Sequence, residues 1–166
     1  MALEQTTAGW KAVLDDIAEA LRRLHKTLVD EEAAGYARDI GPIAGPAHLL
    51  KLLTTHEHFA WLRVLSELMV SLDELRSGGM ATLTEAGALR STIEGLVGPR
   101  PASVPHFRSR YIVLIQMTPE VAMAHHALRQ ALQRLPSGDS ETTSDDLHER
   151  HVETEAEKHE PVKRDD

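Results

Sequence analysis

Ten histidines and no cysteine set the chemistry open to this chain of 166 residues. Without thiols there is no disulfide, no iron–sulfur cluster, no thiolate zinc site and no cysteine nucleophile. Imidazole remains, so a metal or haem is the first question. Carboxylate-bridged di-iron bundles carry Glu-x-x-His pairs at i, i+3. Three residues before the histidines of residues 1–135 stand Arg22, Gly45, Leu53, Thr55, Ser103, Ala122 and Met123, none of them acidic. The di-iron pattern is absent. His56-Glu57-His58 lacks the His-Glu-x-x-His spacing of zinc proteases, and on a helix His56 and His58 would point about 200° apart. His125 and His126 diverge in the same way. A metal or haem site would have to be assembled from different helices, with His25, His56 and one of His125 or His126 as its candidates. Further on, His148 and His151 would chelate a divalent metal only weakly, on a transient helix.

A second constellation lies in the apolar stretch 46–76. His56, Arg63, Glu67 and Glu74 fall within about 40° of one another on a continuous helix, and Arg63 and Glu67 have the spacing of an i,i+4 pair. This polar line reads either as the helix's solvent-facing strip or as a polar groove facing a ligand or partner. A third group is basic. Arg100, His106, Arg108 and Arg110 stand at the opening of a later helix, where backbone N–H groups favour a phosphate or carboxylate. Phosphate-loop and dinucleotide glycine fingerprints are missing, as is Gly-x-Ser-x-Gly. No residue is assigned a catalytic role.

The elements that would position these groups read as helices. Trp10, Val13, Leu14, Ile17, Leu21, Leu24 and Leu28 form the stripe of an amphipathic helix over residues 7–32. Glu19 and Arg23 on its polar side have i,i+4 spacing. Gly41-Pro42 and Gly45-Pro46 punctuate a connector over residues 35–46, and Pro46 suits the first turn of the second helix, residues 46–76. There Leu50, Trp61, Leu65, Leu68, Leu72 and Leu75 gather on one side, while Phe59, Leu62, Met69 and Val70 fall largely on the other. A helix apolar on two sides is buried on two sides, so it is either the central helix of its own bundle or a shared dimer helix, and in the second case Phe59, Leu62, Met69 and Val70 are the candidate interface residues of a homodimer. Ser77-Gly78-Gly79 ends this helix. Thr82-Leu83-Thr84-Glu85 has capping-box spacing and opens a third helix to residue 97.

The fourth region begins near His106. Tyr111-Ile112-Val113-Leu114-Ile115 has strand-like composition, but it has no partner strand elsewhere, so helix is expected. Thr118-Pro119-Glu120 reads as cap, first residue and first-turn acid of a new segment. The region is then one kinked helix or two abutting ones, ending near residue 135.

Charge divides the chain further. Residues 1–135 carry 14 Lys+Arg against 15 Asp+Glu, whereas residues 136–166 carry 4 against 11. The second part also has few apolar residues to offset ordering entropy. The expectation is an all-α, four-helix-bundle-like domain over residues 1–135, followed by a disordered acidic tail over residues 136–166. An acidic tail beside a near-neutral body argues against nucleic acid and anionic lipid as partners. No apolar run approaches the roughly 18 residues of a membrane span, and no secretory signal opens the chain, which points to the cytoplasm. The expected function is a non-enzymatic interaction module, homodimeric or docking a partner helical protein through the second helix, with no cofactor. The alternative is a bundle that holds a small ligand, metal or haem inside.

Overall fold

A computed structural model describes residues 2–78, 82–99 and 104–135. The acidic stretch from residue 136, Arg100 and the tail histidines lie outside the described residues. Within them every regular element is helical: α1 (Ala2–Asp39), α2 (Pro46–Thr55), a 3₁₀ segment (Glu57–Leu62), α3 (Arg63–Ser77), α4 (Leu83–Val97), α5 (Pro105–Met117) and α6 (Pro119–Leu132). The all-α bundle expected from the sequence is the fold found.

Helix α1 is the spine. Its 38 residues span about 57 Å at 1.5 Å per residue, and it packs most extensively on α6 and α3. Val13, Leu14, Ile17, Leu21, Leu24 and Leu28 are all buried, as a single apolar stripe requires. The helix outruns the expected end by seven residues and carries Gly35 inside it. A helical glycine costs about 1 kcal/mol against alanine. Burial of Tyr36, next in the chain and 8% exposed, offsets that cost. The helix stops at Gly41, where the Ile40 and Gly41 amides both turn back to the Tyr36 carbonyl. Gly45, at φ 94°, then takes the left-handed conformation that reverses the chain into Pro46.

The expected second helix is broken. His56 is extended at φ −89°, ψ 136°, without glycine or proline to cause it. The cause is a run of side chains that compete with the helical ladder. The Thr54 and Thr55 hydroxyls donate back to the Lys51 carbonyl, and His56 Nδ1 accepts from the His58 amide at 3.1 Å. The tight 3₁₀ turn that follows stacks residues i and i+3 on one side. Phe59 and Leu62 therefore share a direction, and with Trp61 they enter the same core as Leu65, Leu68 and Leu72. The two-sided apolar helix read from the sequence is three elements, α2, the 3₁₀ segment and α3, and the last two turn their buried apolar residues into one core. Leu50, expected on the buried side, is 63% exposed.

Helix α4 opens on the capping box read from the sequence: Thr82 Oγ1 accepts from the Glu85 amide at 3.2 Å, and Glu85 Oε2 from the Thr82 amide at 2.8 Å. It closes on Gly98, where an added Cβ would collide with the Glu94 carbonyl. The strand-like run of residues 111–115 is helical inside α5. Thr118 is extended, as a residue before proline tends to be, and separates α5 from α6. Its side chain makes no capping bond, so the start of α6 rests on Pro119 and the first-turn acid Glu120.

Candidate functional site

The polar line does not lie on one helix. His56 sits in the break, its ring edge-on to Tyr36 at 5.1 Å. Arg63 opens α3 and donates to the Thr54 carbonyl at 3.1 Å, which ties the two sides of the break together instead of pairing with Glu67. Glu67 and Glu74 are exposed farther along α3.

The candidate metal ligands lie in separate places. His25 Nε2 meets Ser66 Oγ at 3.2 Å between α1 and α3, and burial holds this imidazole below its ordinary pKa. His125 Nδ1 lies 2.8 Å from the Tyr111 hydroxyl. Desolvation lowers its pKa, helped by the positive charges of Arg129 and Arg108 and by His126. Burial pushes the Tyr111 phenol the other way, well above its ordinary range. The phenol therefore stays protonated, and its hydroxyl shares one hydrogen bond with His125 Nδ1. His126 faces solvent. Among the described residues, no three His, Asp or Glu side chains come together as a ligand set.

The basic cluster also disperses. His106 is exposed, and Arg108 turns back to the Gly98 carbonyl at the end of α4. Arg110 crosses the molecule instead. Its guanidinium donates to the His58 carbonyl at 2.8 Å, approaches Glu32 Oε2 at 3.7 Å and lies over the Trp61 ring, 5.8 Å from its centroid.

Arg110 thereby completes a constellation that the sequence did not announce. Glu32, with its side chain 11% exposed, receives His58 Nε2 at 2.9 Å. The same nitrogen lies 3.3 Å from the Glu32 carbonyl. Both neighbours only accept, so the proton is on Nε2. Tyr36 packs edge-on against His58 at 5.6 Å, Phe59 does so at 4.9 Å, and the Tyr36 and Phe59 rings meet each other at 5.6 Å. One carboxylate on α1 thus gathers a histidine from the 3₁₀ segment and an arginine from α5. Its chemistry is that of a charge-assisted tie, and it fixes three elements at one point. Trp61, beneath Arg110, keeps a buried indole N–H without an acceptor.

The candidate interface residues part company. Phe59 and Leu62 are buried in the chain's own core, Met69 packs partly against it, and Val70 alone is exposed. Phe59 and Leu62 are therefore spoken for within one chain. Large exposed apolar side chains gather instead on α5, at Ile112, Val113 and Met117, with Met123 at 73% exposure one turn into α6. At 100° per residue the three α5 positions, with Ser109 and Gln116, cover one face of about 140°. The opposite face carries Phe107 and Tyr111 into the core. Arg110 is the only charged residue from 109 to 117, and it is directed toward Glu32.

Compared with known proteins, the chain matches no family, no curated sequence and no solved structure. Among the described residues no helix is long and apolar enough to cross a membrane.

Proposed function

We propose that this chain is a non-enzymatic, cytoplasmic interaction module that self-associates through the exposed face of α5 and the start of α6. The observation that carries the reading is the exposure of Ile112, Val113 and Met117, which leaves α5 apolar on its solvent side as well as its core side, with Met123 exposed on α6. Such a face favours a partner over water, and exposed methionines are adaptable contact groups. A second copy is the partner that fits best. A two-fold interface brings each patch against itself, and an uncharged apolar strip is self-complementary where a charged one would repel its copy. The interface thereby moves from the second helix, where the sequence alone placed it, to the fifth. The cysteine-free composition suits a reducing compartment.

Light scattering at micromolar concentration tests this reading. The wild type should show twice the chain mass, and Val113→Glu and Met117→Glu should each give a folded monomer. A wild type that stays monomeric at every accessible concentration would overturn it.

A further inference from the structure

We propose that the cleft between the end of α4 and the last turns of α6 is a docking site for an acidic peptide segment. Its occupant is the acidic stretch of the same chain, residues 139–149. The inference is independent of the α5 face.

Charge is unevenly placed along the body. Residues 1–78 carry 8 Lys+Arg against 12 Asp+Glu, and residues 82–135 carry 6 Arg against 3 Glu. Two of those arginines are committed to acids of α1, Arg110 to Glu32 and Arg134 to Asp16. Of the other four, Arg100 lies outside the described residues, and Arg90, Arg108 and Arg129 stand near one end of the bundle, where only Arg90 has an acidic partner among the described residues, Glu94. The cleft there has a volume of about 190 Å³ and is lined by Arg90, Glu94, Val97, Gly98, Arg129 and Gln133, among others. Arg108 stands behind its wall, donating to the Gly98 carbonyl. Glu94 is the only carboxylate in the lining, and it already pairs with Arg90 at 2.9 Å. Arg129 has no acidic partner among the described residues. The guanidinium fork is matched to carboxylates, so a cleft with surplus arginine calls for one.

The chain delivers carboxylates to that place. Arg90 also donates to the Leu135 carbonyl at 2.5 Å, which fixes the end of the described chain beside the cleft. The next fourteen residues, 136–149, contain five acids and neither Lys nor Arg. Asp139 is four residues beyond Leu135, a reach of up to about 13 Å. A short tether holds its acids at an effective concentration on the order of millimolar. Even a weak contact is then substantially formed, and it covers the arginines that would otherwise attract other polyanions.

The absence of cysteine makes the test direct. Ser144→Cys in the full chain gives a single attachment point for a nitroxide, and the readout is paramagnetic broadening of the amides of residues 94–98. In the wild-type background these signals should lose about half their intensity or more, as half-occupancy at millimolar effective concentration implies. Arg129→Glu, at an exposed position, should restore them. So should salt at about 1 M, where the screening length falls to roughly 3 Å. Broadening unchanged by either would report simple proximity and overturn the proposal. Broadening of isotope-labelled chains by a separate spin-labelled copy would assign the tail to a neighbour and overturn it equally.

Discussion

Glu32 and His58, 26 residues apart in sequence, meet at 2.9 Å with Arg110 against the same carboxylate oxygen. The contact joins α1, the 3₁₀ segment and α5, so a single acid decides the relative placement of three elements. Glu32→Ala should lower unfolding free energy in urea by about 1–3 kcal/mol, because it leaves His58 Nε2 without its carboxylate and Arg110 without its ion-pair partner. Glu19→Ala, which removes the exposed pair to Arg23, should cost less than about 1 kcal/mol. Equal costs would mean that the Glu32 cluster is no more than a surface pair.

Leu68 and Glu67 are neighbours on α3 with opposite burial. Leu68→Ala should cost about 2–5 kcal/mol through lost burial and the cavity left behind. Glu67→Ala should stay within about 0.5 kcal/mol, as exposed substitutions do. Denaturant midpoints at constant slope measure both.

The pH dependence follows from two imidazoles. His25 and His125 both have folded-state pKa values below the ordinary 6.5. As pH falls through that value the unfolded chain takes up protons first, so stability present above it is lost on acidification. Urea midpoints should therefore fall between about pH 7 and 5.5, within the range where histidine titrates. His25→Gln and His125→Gln should each flatten the profile, and an unchanged slope in both would remove these residues as its cause.

Gly98 is required for space rather than for conformational freedom, since its φ is −76°. Gly98→Ala should cost about 1–3 kcal/mol as the chain shifts away from the Glu94 carbonyl. At Gly41 nothing lies within 4 Å of an added Cβ, and Gly41→Ala should be neutral or stabilising by up to about 1 kcal/mol. Thermal melts followed by circular dichroism separate the two.

Features written locally were legible in the sequence. The stripe from Val13 to Leu28 repeats at helical spacing, and Thr82 and Glu85 carry their capping box within four residues. The split at Thr118 follows from the proline after it. The break at His56 was not legible, because three polar side chains make it and neither glycine nor proline marks it. That break turns Phe59 and Leu62 into the chain's own core and detaches His56 from Arg63, Glu67 and Glu74, which stay together on α3. The Glu32–His58–Arg110 cluster spans separations of 26 and 52 residues and repeats at no period. Arg110 was visible as a charge, but its destination depends on how α5 crosses the 3₁₀ segment.

The pairing of α1 with α6 has a consequence for biosynthesis. The ribosome makes α1 first and α6 last, and residues 40–118 lie between them. Until α6 emerges, the stripe from Val13 to Leu28 has lost its most extensive cover and stays open to aggregation, as partly made chains often are. A nascent chain stalled before Pro119 would present that stripe to chaperones and proteases. Emergence of α6 is then the step that covers the α1 stripe of a vulnerable intermediate.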